Sequence, residues 1–220
     1  MRTLLPVLFT ALLASPAFAV PFVQPPAYKE CTTLAAKDPQ AALAKADEWL
    51  RMDDGFAAHH CRAMALYGLR QFTEAAQALE LVRGKILADN IALRTYVARQ
   101  GAKAWSSAGR TDAAIALLDT QIQEMSVGKF DNATEAKLSA ELLLDRARLR
   151  RTFGQVTAAV QDLDHAISLS PLNEAVLMER ALAFEQLGDL ALAKQDAQAV
   201  LRLEPTHAEA ADLMRRVRDR

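Results

Sequence analysis

The chain has 220 residues, with 26 Lys and Arg against 27 Asp and Glu, a formal charge of −1. That balance holds no cationic excess for a nucleic-acid backbone or an anionic membrane surface, so neither partner is expected. Hydrophobic residues make up 51% and aromatics 6%, with eight Gly and eight Pro. This composition favours helix, and no alternating β-branched run is long enough to argue for a strand.

Met1 to Ala19 reads as a secretory leader. Arg2 gives a positive start, Leu4 to Leu13 an apolar run broken only by Pro6 and Thr10, and Ala17-Phe18-Ala19 a small-x-small cleavage site. A membrane anchor would need about 20 uninterrupted apolar residues. Cleavage after Ala19 would leave 25 basic against 27 acidic side chains. The mature product is then expected to be periplasmic, without stable membrane insertion, because no Cys follows the site to accept a lipid and no later segment is apolar enough to span. Residues 20–26 carry Pro21, Pro25 and Pro26 and are expected to form an extended arm, with helix beginning near Ala27. Cys31 and Cys61 are the only cysteines. After export they can form one bridge or remain two buried apolar thiols, and spacing alone leaves both open.

The rest of the chain is measured by a pattern written twice in 140–205. At an interval of 34 residues, Leu143 falls on Leu177, Arg146 on Arg180, Ala147 on Ala181, Gly154 on Gly188, Ala159 on Ala193, Asp162 on Asp196 and Pro171 on Pro205. Each unit has a first helix with a small residue at its eighth position, a turn near its fifteenth, and a second helix with Ala at its twentieth. Small residues are needed where paired helices approach closely. In chain order the template gives units 23–55, 56–94, 95–139, 140–173 and 174–205. The first is the loosest, with only Ala42 and Trp49 in register and Asp38-Pro39 as a helix start. The second has Ala63, a turn at Arg70 and Ala75; the third has Ala102, Trp105, Gly109 and Ala114. Leu87 to Ala104 and Thr134 to Arg151 read as continuous helix, so the surplus length of the middle units is expected to extend their first helices. Gly84 and Gly128 mark the breaks before them. Residues 206–220 read as a capping helix, with Thr206-x-x-Glu209 in the form of a capping box and Ala210, Leu213, Met214 and Val217 as its apolar stripe. Eleven helices result.

These residues resemble the tetratricopeptide repeat family, in an exported bacterial form. Ala147, Gly154, Ala159, Ala166 and Pro171, then Ala181, Phe184, Gly188, Ala193 and Pro205, stand at family positions. Arg150 replaces an expected aromatic, and no Pro closes the second or third unit. The resemblance implies an all-α, helical-hairpin repeat solenoid whose first helices line a concave groove that receives another protein's segment. The expected function is therefore a non-catalytic interaction scaffold in the cell envelope. Its rivals are a self-associating assembly factor using the convex face or long helices, and a small-ligand receptor or enzyme.

Motifs for catalysis are missing: there is no G-x-S-x-G, Gly-rich phosphate loop, H-E-x-x-H or CxxC. His59 and His60 are adjacent and diverge by about 100° on a helix, so they cannot share a metal, and they read as surface histidines. No cofactor or metal is expected. The registers place Tyr96, Arg99 and Lys103 of the third unit beside Arg148 and Arg151 of the fourth on the groove face, with His60 and Tyr67 extending the patch. Such a patch suits a partner's carboxylates. It does not require them, because like charges about 10 Å apart in water repel by only about 0.4 kcal/mol, and Glu141 and Asp145 lie near. By the same registers Cys31 and Cys61 fall side by side on neighbouring first helices.

Overall fold

A computed structural model describes residues 26–127 and 133–218. The leader, residues 20–25 of the expected arm and the break at Gly128 lie outside the described residues, while Pro26, expected to end the arm, is the first residue of a helix, where its missing N–H costs no hydrogen bond. The described chain is all-helical, in the order α1 (Pro26–Lys37), α2 (Pro39–Leu50), α3 (Phe56–Gly68), α4 (Phe72–Gly84), α5 (Ile91–Ser107), α6 (Thr111–Val127), α7 (Ala133–Thr152), α8 (Val156–Leu169), α9 (Glu174–Leu187), α10 (Leu190–Leu203) and α11 (Ala208–Arg218). Successive helices pack as antiparallel hairpins, and the hairpins stack so that first helices α1, α3, α5, α7, α9 and cap α11 follow one another along one side. The result is the helical-hairpin solenoid expected from the repeat.

Local chemistry places the helix ends. Asp38, Asn90, Asn173 and Asp189 cap α2, α5, α9 and α10, each side chain accepting from the backbone N–H three residues on. The hairpin turns of the last three units place Gly109, Gly154 and Gly188 at φ of 75°, 84° and 83°, where a Cβ is disfavoured. The second unit has Arg70 at that position, held at φ 62° with its guanidinium over the Phe72 ring.

Two boundaries differ from the sequence reading. Helix α5 starts at Ile91 rather than Leu87, because the Asn90 carboxamide accepts from Leu93 N at 3.2 Å and fixes the first turn there. The anticipated capping box at Thr206 does not form: α11 begins at Ala208, and His207 Nδ1 takes the N–H of Ala210 at 3.2 Å. Helices α5 and α7 are 17 and 20 residues long. The second helix α6, also 17 residues, shares in the surplus, which the pattern did not indicate.

Close approach of the helices rests on Ala63 and Ala75, Ala102 and Ala114, Ala147 and Ala159, and Ala181 and Ala193, all buried. Around them run three apolar clusters. One joins α3–α6 and reaches Leu142, a second centres on α7 and α8, and the third packs α9 and α10 under α11 through Leu213.

The same period also carries buried ion pairs. Arg146 of α7 grips Asp162 of α8 through Nε and Nη2 at 2.9 and 2.5 Å, and 34 residues on Arg180 grips Asp196 at 2.7 and 2.9 Å. Each Arg also reaches back to the preceding unit, Arg146 to Asp119 at 2.7 Å and Arg180 to Asp164 at 2.6 Å. Arg62 does the same with Asp47 at 2.8 Å. In the third unit Gly101 occupies the Arg position, where a Cβ would lie 2.7 Å from Leu117 Cδ2. Its backward link is made instead by Trp105 Nε1, which donates to Glu80 at 2.5 Å. Bidentate Arg–carboxylate geometry thus ties the α7–α8 and α9–α10 hairpins, and single charge-assisted bonds from the same arginines tie each to the preceding unit.

Candidate functional site

A groove opens between α5 and α7. On α5, Tyr96, Arg99, Gln100 and Lys103 share one face through i, i+3 and i+4 spacing; on α7, Asp145, Arg148 and Leu149 face them. Together with Ala102, Ser106 and Leu118 they line a cavity of about 440 Å³. Its base is apolar, formed by Ala102, Leu118 and Leu149. Tyr96 is 53% exposed and presents a large ring with a polar tip, a side-chain type that suits recognition surfaces.

The expected cations are present but mostly engaged. Arg99 Nη1 donates to Glu141 and its Nε to Asp145, both at 2.5 Å. Burial works against the Arg99 charge, but hydrogen bonds and charge from Asp145 and Glu141 outweigh it and raise its pKa above the ordinary guanidinium value. Arg151 lies outside the cavity lining and binds the buried carboxylate of Glu179 on α9 at 2.5 Å. Arg148 stands 3.4 Å from Glu179 and 3.9 Å from Asp145. Taking Arg151 from Glu179 would leave that buried carboxylate with Arg148 alone, a change that costs about 3 kcal/mol, the lower end for broken buried pairs. Lys103 differs: it is exposed, lies over the Tyr67 ring at 5.7 Å, and has no acid partner among the described residues. Among the described residues the groove is therefore a matched ion-pair surface with one open ammonium: the other three expected cations are neutralised by Glu141 and Asp145, which the sequence had placed near them, and by Glu179.

Tyr67 joins the edge of this site, its hydroxyl 3.2 Å from Ser107 Oγ. His60 does not lie on the surface. It is 2% exposed, stacked on Phe56 and flanked by Tyr28 and Tyr96. Gln100 Oε1 can only accept, so the 2.7 Å contact places the proton on His60 Nε2, and the Tyr28 hydroxyl donates to Nδ1 at 2.7 Å. Burial lowers the His60 pKa, with the Gln100 hydrogen bond opposing, and burial pushes Tyr28 up to about 12. A neutral imidazole with both nitrogens satisfied thus links α1, α3 and α5 behind the groove.

This arrangement has a sign that can be checked. The unfolded chain takes up a proton near the ordinary His value of about 6.5, before the folded state does. The stability from His60 is therefore present above that pH and is lost as pH falls towards the lower folded value. Urea midpoints at successive pH values between 7.5 and 5 should show this decline in wild type and a smaller one in His60→Phe.

The cysteines fall together as the registers placed them. Cys31 of α1 and Cys61 of α3 are paired at disulfide distance, with Cα atoms 6.0 Å apart, and both are buried against Ala46.

One further titratable cluster, Glu174, Glu204 and His207, gathers its ligand atoms within 4.8 Å. His207 Nδ1 already accepts from Ala210 N, which keeps the proton on Nε2, facing Glu174 at 3.2 Å. A metal would need that Nε2 lone pair, so these contacts describe a helix cap and a hydrogen bond from Nε2–H to the Glu174 carboxylate.

Sequence reasoning named Glu141 and Asp145 as neutralising groups and missed Glu179. Its position on the groove face of α9, one unit beyond Arg151, was the available signal. It also missed Gln100, whose spacing from Tyr96 at i+4 puts it on the same face.

The tetratricopeptide repeat family matches residues 175–207. No curated protein sequence matches the chain. Among solved structures, the chain is similar to MamA 41-end from Desulfovibrio magneticus RS-1, with 14% identity, a TM-score of 0.61, and coverage of 84% of this chain and 99% of that one. It is similar to YrrB, described as a TPR protein with an unusual peptide-binding site, with 12% identity, a TM-score of 0.60, and coverage of 85% and 89%. The second TPR domain of human RPAP3, in complex with the HSP70 peptide SGPTIEEVD, aligns at 23% identity and a TM-score of 0.51 over 60% of this chain and 100% of that one. Residues 175–207 thus match the tetratricopeptide repeat family, and the described helices stacked around them form a helical-hairpin solenoid similar in fold to tetratricopeptide-repeat proteins.

Proposed function

We propose that this protein is a non-catalytic scaffold of the cell envelope, exported by its leader, that receives a segment of another protein in the groove between α5 and α7. The observation that carries this reading is the groove itself: an apolar base, an exposed tyrosine and an unpaired ammonium on rigid, ion-paired helices. Two proteins of similar fold lend it support, one holding an HSP70 peptide and one described by its peptide-binding site. No arrangement of nucleophile, base and orienting group accompanies the groove among the described residues.

Capture from envelope extract under gentle cross-linking tests the reading. One dominant protein partner, released by competition with its own groove-binding segment, is the expected outcome. A tightly bound small molecule in native mass spectrometry, with no protein captured, contradicts it and favours a receptor.

A further inference from the structure

We infer that the segment docking in the α5–α7 groove carries a single carboxylate set beside an apolar side chain, and not an acidic run; this rests on the groove reading proposed above. The ion pairs carry the inference. Arg99 is shared by Glu141 and Asp145, and Arg151 is committed to Glu179, whose carboxylate is buried. An acidic run could recruit these cations only by stripping those carboxylates of their partners, and its own charges would then face Asp145, which lines the cavity. Arg148, which also lines the cavity, stands 3.4 Å from Glu179 and 3.9 Å from Asp145. Lys103 is the exception. Its ammonium has no acid partner among the described residues and lies against the Tyr67 ring at the cavity's edge. One carboxylate satisfies it. Next to Lys103 the cavity offers the exposed Tyr96 ring and the partly buried Leu149, an apolar surface that an apolar side chain would cover and against which a second carboxylate would be desolvated. The charge and the apolar contact are thus adjacent, which requires the two partner residues to be close in sequence.

The test uses the ¹⁵N-labelled protein and two blocked hexapeptides of equal length, one with Leu followed by Asp among Gly and Ser, the other with three successive Glu. The Leu-Asp peptide is expected to shift the amides of Lys103, Ser106 and Leu149. Lys103→Ala should weaken this binding about fivefold, the scale of one exposed ion pair, and Lys103→Arg should restore it. Tighter binding of the Glu peptide, weakened by Arg99→Ala, overturns the inference and leaves the groove reading standing. If neither peptide moves these amides at millimolar concentration, the inference falls; the groove reading falls with it only if Ser106→Trp, which fills the cavity, leaves capture of the envelope partner unchanged.

Discussion

Asp162→Ala should lower the stability of the solenoid by about 3 kcal/mol, because it removes the shared partner of two arginines from a buried site. Asp162 is 4% exposed and accepts from Arg146 at 2.5 and 2.9 Å and from Arg150 at 2.9 Å. Asp119, more exposed, retains Arg146, which keeps the effect at the lower end of the range for broken buried pairs. Asp196→Ala, 34 residues on, should behave alike, since Arg180 holds it in the same bidentate geometry. Asp164→Ala should cost less than about 1 kcal/mol, because that carboxylate is half exposed and Arg180 keeps both bonds to Asp196. Urea midpoints compared across the three variants provide the measurement, the midpoint being preferred because stacked repeats need not unfold in two states. Equal effects at Asp162 and Asp164 would show that burial does not govern these pairs.

The second large effect concerns Cys31 and Cys61. The first unit lacks the close-packing Ala that the other units have at position eight; Glu30 stands there, largely exposed. Helix α1 is held instead by the Tyr28–His60 hydrogen bond and by the cysteine pair, which spans 30 residues. A bridge over such a loop contributes about 3 kcal/mol, chiefly by restricting the unfolded chain. Replacing both cysteines with Ala should lower stability by that order, and α1 should become the first segment to exchange its amides. Protein purified from the envelope should begin at Val20 and titrate with no free thiol. Two free thiols in that material would remove both the bridge and this account of α1.

How far the molecule was legible from its residues depends on the physical origin of each feature. Ala147, Ala181, Gly154 and Gly188 are steric requirements of a helical hairpin, so they recur at fixed spacing and reveal the stack. The Arg146–Asp162 and Arg180–Asp196 matches were visible as repeated letters, but their meaning as buried ion pairs needed the packing of α7 on α8 and of α9 on α10. Helix-face spacing brought Tyr96, Arg99, Lys103 and Arg148 into one groove. It did not reveal that Glu179 engages Arg151, because that contact depends on the lateral offset between α7 and α9. His60 misled for a similar reason: its burial comes from Tyr28, Phe56 and Tyr96 on three separate helices, and no local pattern encodes their convergence. The Thr206 capping box failed on a competition between neighbours, since His207 could supply an acceptor one residue later.

The central claim, that the α5–α7 groove is the docking surface, is tested most directly by capture from envelope extract with wild type and Ser106→Trp in parallel. Ser106 lines the cavity and is only partly buried, so an indole there can fill the groove while the helix packing and thermal unfolding remain as in wild type. The account predicts that the dominant protein partner is retained by wild type and lost by the variant. Equal capture by a folded Ser106→Trp protein would contradict it and move the interaction to another face of the solenoid.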